Sequence, residues 1–179
     1  MSTPVDAALD RLVRDVPDFP QAGVVFKDIS PLLADPEGFA TTVAALAELG
    51  RRLAPGGVDA VVGIEARGFI LAAPVALALG AGFVPVRRKG KLPCATHEVS
   101  YTLEYGEATL QIHRDALHDG QRVLVVDDVL ATGGTVQATA ELVAGCGATL
   151  SAVAVLLELA FLDGRSRLGA MSFDALRIV

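Results

Sequence analysis

The chain has 179 residues, of which 52% are hydrophobic and 20% are charged, so it is long enough to bury the core of one domain. Its 21 acidic and 15 basic residues give a net charge of -6, which argues against a general nucleic-acid binder, because phosphate contacts need a surplus of Lys and Arg. No polar low-complexity tract is present, so extensive intrinsic disorder is disfavoured.

Cysteine usage and the apolar segments bear on location. The two cysteines, Cys94 and Cys146, are too few for a disulfide framework, and no Cys/His spacing suits zinc. The acidic N-terminus lacks the apolar segment of a secretory signal, so a reducing cytoplasm is the expected location. The apolar run 69–86 is long enough to span a bilayer, but Pro74 and the break at 80–82 instead predict a buried helix followed by a buried strand, with no membrane partner.

The first half of the chain is predicted to alternate helices with a strand. Apolar residues at helical spacing predict a helix over 5–16, and the Pro- and Gly-punctuated segment 18–36 is expected to be a long loop. A second helix is predicted over 37–53 and a buried strand over 58–64. The turn at 65–68 then leads into a third helix.

The second half continues the alternation and adds a hairpin. The predicted elements, in order, are a strand at 83–86, a cationic loop from Arg87 to His97, a hairpin of 99–103 with 108–112 standing off the main sheet, a strand at 122–126, a helix at 135–144 and a strand at 151–157. This order predicts an α/β fold with a doubly wound, mainly parallel sheet. In such folds the ligand site lies at the carboxyl ends of the strands.

The segment VLVVDDVLATGGT, residues 123–135, carries the clearest chemistry. A buried strand leads through Asp127 and Asp128 into a loop of small residues that opens a helix. Helix N-termini offer unpaired amides, glycines let a ligand approach them, and threonine hydroxyls add donors, so the loop can hold a phosphate monoester. The loop residues are Ala131, Thr132, Gly133, Gly134 and Thr135. Carboxylates accept hydrogen bonds from vicinal sugar hydroxyls, so the whole segment predicts a ribose 5-phosphate cradle.

A plainer interpretation of this segment is a solvated acid pair followed by an ordinary helix cap with Thr132 or Thr135 as the N-cap. The conjunction of strand, acids and Gly-Gly in one register favours the functional interpretation. Neither a G-x-x-x-x-G-K-[ST] loop nor a G-x-G-x-x-G turn after the first strand is present, so an NTPase or a dehydrogenase is disfavoured.

The same segment resembles the phosphoribosyl pyrophosphate (PRPP) signature of type I phosphoribosyltransferases. The rest of the chain is similar, in order and spacing, to the adenine phosphoribosyltransferase family. The matching segments are GVVFKDISPLL at 23–33, GIEARGF at 63–69, RRKGKLP at 87–93, YTLEYG at 101–106 and LLELAFLDGR at 156–165. The resemblance implies transfer of the 5-phosphoribosyl group of PRPP to adenine, with magnesium held mainly through the substrate.

The resemblance also implies an organisation. Residues 1–179 would form a single domain of the type I phosphoribosyltransferase fold, with an N-terminal helix, small hood and base loop over 1–35 and an α/β core over 36–179. A mobile hairpin lid is expected near residues 90–110, where Cys94 stands at a position that is usually glycine in the family. A homodimer is implied by the resemblance alone.

Cations and amides are needed for a leaving pyrophosphate, and Arg67, Arg87 and Lys91 are the candidates. By resemblance, Glu65, Ala66 and Arg67 form the family's pyrophosphate loop, in which a cis peptide often joins the first two. Arg67 would stabilise the leaving group in catalysis, although a surface position at a helix start is the plainer interpretation.

The base site is expected to use a ring face and backbone groups. Phe26 lies in a loop where it can stack on a purine, with a hydrophobic plug as the alternative. The resemblance assigns Val25 and Phe26 to the adenine loop and Leu159 to the opposite wall, whereas composition alone would place Leu159 in the core.

Two further residues receive roles from the resemblance. Glu104 would lie over the base as the general base that takes a proton from adenine, and Tyr105 would help to close the hood over pyrophosphate.

Two other functions remain open: transfer to another purine such as hypoxanthine or xanthine, and non-catalytic sensing of PRPP. Sensing is disfavoured because such regulators usually carry a nucleic-acid-binding element, and this chain is acidic.

Overall fold

The structure, a computed structural model, describes residues 3–102 and 107–179. The chain folds into two compact units, Met1–Ala45 and Leu46–Val179. In the first unit, helix α1 (Pro4–Leu12) begins at a capping box formed by Thr3 and Asp6. The predicted extension of this helix to residue 16 is wrong, because Val13 is extended and strand β1 (Arg14–Pro17) follows.

The expected long loop at 18–36 is also wrong. Strand β2 (Val25–Asp28) pairs antiparallel with β1, with Val16 opposite Phe26, and helix α2 (Ser30–Ala34) follows it. Between the strands, the Asp18 carboxylate accepts a hydrogen bond of 2.7 Å from the Gly23 amide. Of the Pro and Gly residues that suggested a loop, Pro20 and Gly23 lie at the tip of this two-stranded ribbon, whereas Pro31 lies in the first turn of α2 and Pro36 begins the next helix.

Helix α3 (Pro36–Leu53) begins in the first unit and ends in the second. The remaining elements of the second unit are β3 (Ala60–Ile64), α4 (Arg67–Leu79), β4 (Gly82–Arg88), β5 (Thr96–Thr102), β6 (Glu107–His113), β7 (Arg122–Leu130), α5 (Gly134–Gly145), β8 (Thr149–Glu158) and β9 (Phe173–Ile178). Two short 3-10 turns, Ala160–Leu162 and Gly164–Leu168, lie between β8 and β9.

The described strands of this unit form a seven-stranded sheet in the order β5-β6-β4-β3-β7-β8-β9. The five strands from β4 to β9 in that order are parallel, and β5 and β6 are antiparallel. Strand β3 is buried throughout, as expected for a parallel strand at the centre of a sheet. The predicted α/β class with a mainly parallel sheet is confirmed.

The hairpin differs from its prediction. It does not stand off the sheet, because β6 pairs with the end of β4 through Arg87 opposite Gln111 and Arg88 opposite Leu110. The buried Gln111 amide fixes this junction by accepting from the Gly90 amide at 2.8 Å and donating to Glu98 at 3.0 Å. Strand β9 was not predicted, since its six residues at the sheet edge are mostly half-buried and show no clear alternation.

Both cysteines are free thiols; Cys94 is exposed, and Cys146 lies at the C-cap of α5. Within the described ranges, no helix has the length and apolar character that crossing a bilayer demands.

Candidate active site

A cavity of about 310 Å³ lies in the second unit at the carboxyl ends of β3 and β7. Its polar wall comes from the turn after β3, from β7 and from the first turn of α5, with further polar side chains from β4 and β5. The predicted site residues that line it are Glu65, Ala66, Arg67, Asp127, Asp128 and Thr135. Sequence segments about 60 to 70 residues apart therefore meet at one edge of the sheet, as the parallel topology requires.

The acid pair belongs to a strand rather than to the loop after it. Strand β7 runs past the predicted end to Leu130, and Asp127 pairs in register with Val155 of β8. The Asp128 amide donates to Asp127 Oδ1 at 2.9 Å, so the neighbouring backbone orients the first carboxylate. Both carboxylates are buried and are held by the sheet, which makes a solvated acid pair the wrong interpretation.

The start of α4 contacts this acid pair through Arg67 and approaches it closely at Gly68. Arg67 Nε lies 2.7 Å from Asp128 Oδ2. A methyl group at Gly68 would lie 2.7 Å from Asp127 Oδ1, so only glycine lets the helix approach the carboxylate this closely.

Burial dominates the electrostatics of the pair. Desolvation, together with the negative charge of Asp128, raises the pKa of Asp127 well above its usual range. Burial also raises the pKa of Asp128, against the opposing effect of the Arg67 guanidinium. The cavity therefore brings two buried carboxylates next to the Arg67 guanidinium, and Arg88 also lines it, an arrangement typical of functional sites.

The phosphate loop lies between β7 and α5. The N-cap of α5 is Gly133, with a φ of 84°, so neither threonine caps the helix. Gly133 has no side chain to accept from the first-turn amides, which leaves those amides directed toward a ligand position. Gly133 and Gly134 are buried, whereas Thr132 and Thr135 are half-buried. This geometry supports an anion site and contradicts the plain-cap interpretation.

The turn after β3 contains a cis peptide between Glu65 and Ala66. Glu65 Oε1 accepts from Arg87 Nη2 at 3.1 Å, and Oε2 accepts from the Arg88 amide at 2.9 Å. Burial opposes ionisation of Glu65, but these hydrogen bonds together lower its pKa. The Glu65 side chain therefore orients Arg87 and the end of β4, and its carboxylate is an acceptor already in use.

The two other predicted pyrophosphate cations lie beside this turn, outside the residues that line the cavity. Arg87 Nη1 donates to the Lys91 carbonyl at 3.0 Å, which closes the bend after β4. Lys91 itself is exposed on that bend.

Tyr101 is a site residue that the sequence analysis missed. It lines the cavity from β5, and its hydroxyl lies 3.1 Å from Thr135 Oγ1. The hairpin alternation gave no sign of this contact, because which face of β5 points toward α5 depends on the pairing of β6 with β4. The hairpin thus contacts the phosphate loop directly.

The predicted base residues lie in different units. In the first unit, Val25 is 48% exposed and Phe26 is half-buried, with its ring in an edge-to-face contact with Phe19 at a centroid distance of 5.2 Å. In the second unit, Leu159 is half-buried and its amide donates to the Leu130 carbonyl at 2.9 Å. Leu159 is thus tied to the end of β7 and is not a core residue.

The predicted residues Glu104 and Tyr105 lie outside the described residues. Among the described residues, no group of three or more His, Cys, Asp or Glu side chains is arranged to hold a metal ion. Three carboxylates line the cavity, and that of Glu65 already accepts two hydrogen bonds. Asp127 and Asp128 are therefore the hard oxygen donors that would contact a magnesium ion, and substrate oxygens would supply the rest of the coordination.

Comparison with known proteins agrees with this geometry. Residues 32–178 match the model of the phosphoribosyl transferase domain family. The chain is 62% identical to an adenine phosphoribosyltransferase of Nocardioides sp. over 94% of this chain and 91% of the relative. It is 55% identical to the Thermobifida fusca adenine phosphoribosyltransferase over the full length of both.

Solved structures give the same result. The adenine phosphoribosyltransferase of Thermoanaerobacter pseudethanolicus superposes with a TM-score of 0.92 and 44% identity, over 97% of this chain and 99% of that one. The enzyme of Saccharomyces cerevisiae, solved with an imino-altritol bisphosphate and adenine, gives a TM-score of 0.91 and 38% identity, over 96% and 98% of the two chains. Since the family match covers most of the chain and the relatives match it almost end to end, the chain belongs to the phosphoribosyltransferase family, among its adenine phosphoribosyltransferases.

Proposed function

We propose that the cavity between β3, β7 and α5 is where this enzyme transfers the phosphoribosyl group of PRPP to adenine, giving AMP and pyrophosphate. The observation that carries the proposal is the convergence of Arg67, the acid pair and Thr135 on one cavity. At the edge of the cavity where Thr135 lies, the amides from Ala131 to Thr135 bind the 5-phosphate, and Asp127 and Asp128 accept from the ribose hydroxyls.

The reaction requires charge to separate at the sugar. As the bond to pyrophosphate breaks, positive charge develops on the ribose, and the carboxylates of Asp127 and Asp128, which line the cavity, stabilise it. Arg67 binds the departing pyrophosphate, while Glu65 holds Arg87 at the same side of the turn. Magnesium, when bound through PRPP oxygens, would supply further neutralisation of the leaving group.

We assign adenine to the base loop and its opposite wall, with Val25 reading the base edge through its backbone, Phe26 stacking on the ring and Leu159 opposite. Glu104 takes the proton from the attacking nitrogen, and Tyr105 with Lys91 covers pyrophosphate. In this proposal residues 1–179 act as one domain, with the hood within 1–35 and a lid near 90–110 that excludes water.

The experiment that tests this function is turnover with base competition. The purified chain, PRPP and magnesium are incubated with adenine, hypoxanthine or guanine, and the nucleotide formed is measured. We expect AMP, with little competition from the other purines. Formation of IMP or GMP instead would favour another purine base, and PRPP binding without any turnover would favour a sensor.

Phe26→Ala is expected to raise the KM for adenine ~10- to 100-fold, because stacking on an aromatic ring contributes about 1–3 kcal/mol per base. The KM for PRPP should change by less than about threefold, since ring removal leaves the phosphate cradle intact. Steady-state kinetics against each substrate measures both. Phe26→Tyr, which keeps the ring, is the matched control and should behave like the wild type. Equal rises in both KM values would remove Phe26 from the base site.

We propose a homodimer in the cytoplasm. Helix α4 exposes Ile70 and Leu77, seven residues apart on one face, and Leu77 is 83% exposed. A second copy of the chain can cover this apolar strip. The exposed free thiol of Cys94 fits a reducing compartment.

Leu77→Glu is expected to weaken the dimer by ~10-fold or more in dissociation constant, because an unpaired carboxylate in an apolar interface is costly. Sedimentation equilibrium of the full chain measures this constant. Ile178→Glu adds the same charge at another exposed apolar position and should leave assembly unchanged. A Leu77→Glu chain that dimerises as tightly as the wild type would exclude this face.

A further inference from the structure

Between β8 and β9 runs a segment of which the mechanism above uses only the first residue, Leu159. We call residues 159–169 the strap; they contain both 3-10 turns and begin at the proposed adenine wall, Leu159. Gly164 of the strap is buried against the phosphate loop, and a methyl group there would overlap the Ala131 carbonyl oxygen. The fit is mutual, since a methyl group at Gly133 would lie 2.7 Å from the Gly164 carbonyl oxygen.

Hydrogen bonds hold the same contact at both ends of the strap. The Leu159 amide donates to the Leu130 carbonyl, directly before the phosphate loop, at 2.9 Å. Gln137 Nε2, one turn into α5, donates to the Arg167 carbonyl at 2.8 Å. The strap is therefore attached before, along and after the loop that is proposed to bind the 5-phosphate.

One ion pair ties the strap to the sheet. Arg165 Nε donates to Glu158 Oε1 at 2.9 Å and Nη2 to Oε2 at 2.6 Å, which is a bidentate arrangement. The Glu158 side chain is only 7% exposed, so its buried carboxylate contacts Arg165 in place of water. Arg165 also lies over the Phe173 ring, at 4.6 Å, and reaches Asp174 Oδ1 at 3.4 Å on β9.

We propose that Arg165, fixed by Glu158, is a positioning residue that presses the strap onto the phosphate loop, so that the adenine wall and the 5-phosphate site form one rigid unit. The inference rests on the proposed function. Its consequence is that loosening the strap weakens binding of the base and of the phosphate together.

The first test is Gly164→Ala, which must push the strap away from Ala131. We expect kcat/KM with PRPP to fall by ~10²-fold, since misplacing a site by about 1 Å can cost that much. Calorimetry should show weaker binding of both AMP and ribose 5-phosphate. Gly82→Ala is the matched control, because a methyl group there meets open space, and it should bind both ligands normally.

The second test separates positioning from stability. Arg165→Met with Glu158→Leu replaces the ion pair by apolar side chains, a change that often leaves stability unaltered. We expect a Tm close to that of the wild type but AMP binding weakened ~10-fold or more. Arg165→Lys keeps the charge without the bidentate geometry. Its affinity for AMP should lie between those of the wild type and the double variant.

The outcomes distinguish the two proposals. Wild-type chain that neither binds AMP nor forms it would overturn the proposed function, and the strap proposal with it. An active wild type combined with Gly164→Ala and double variants that bind AMP normally would overturn only the positioning role. A lower Tm with unchanged ligand binding would show that the strap is structural and would also overturn it.

Discussion

Asp127→Asn combined with Asp128→Asn is expected to lower kcat/KM for PRPP by about 10²–10⁴-fold, because two hydrogen bonds to charged acceptors contribute about 1.5–3 kcal/mol each. The fold should survive, since Asn keeps the side-chain oxygen that accepts from the Asp128 amide. The same cavity stays in place, but its stabilisation of positive charge at the sugar is lost. Steady-state kinetics with PRPP as the varied substrate measures the loss.

The stability of this double variant should depend on pH in a definite direction. Burial raises the pKa of both carboxyls, so their contribution to stability is complete below about pH 4, near the pKa of an unfolded Asp, and is lost as the pH rises. Asn carries no such titration. The Tm of the variant relative to the wild type should therefore increase from about pH 4 to about pH 8.

Asp115→Asn with Asp119→Asn is the matched control, because it removes two exposed carboxylates between β6 and β7. It should retain wild-type activity and show no gain in Tm at high pH. A near-normal kcat/KM in the Asp127/Asp128 variant would overturn the ribose assignment. Loss of its fold would contradict the expectation that the buried carboxylates are needed for binding and not for stability.

The central part of the site could be predicted because its signals are local. The acids and the Gly-Gly of residues 123–135 follow one another in sequence, and a parallel strand followed by a helix fixes where they lie. The position of Arg67 is similarly determined, since it follows a second buried strand adjacent to the first. Topology alone brings these residues together.

What could not be predicted depends on contacts between distant segments. The joining of the hairpin to the sheet requires the Gln111 amide to meet the Gly90 turn, and the position of Tyr101 follows from that pairing. In the first unit, β1 and β2 are short strands whose residues are exposed or half-buried, so no periodic apolar pattern marks them. The role of Glu65 in holding Arg87 is likewise a contact across 22 residues.

Arg67→Met is expected to lower kcat/KM for PRPP by about 10²-fold or more, because a charge-assisted contact to a phosphate group is lost. The variant also leaves Asp128 buried without the cation that opposes its raised pKa. Its stability should consequently fall further as the pH rises, opposite to the trend of the Asn variant. Kinetics in the reverse direction, from AMP and pyrophosphate, gives the diagnostic measurement.

The substrate dependence distinguishes the role of Arg67 from that of the acids. If Arg67 binds the leaving group, Arg67→Met raises the KM for pyrophosphate and leaves the dissociation constant of AMP nearly unchanged, because AMP lacks that group. The matched control is Arg122→Met, which breaks an Arg–Asp pair of the same length with Asp59 at the amino end of β7. That control should lose stability and retain both binding constants. Equal weakening of AMP and pyrophosphate by Arg67→Met would instead mean that Arg67 acts through Asp128 on the ribose.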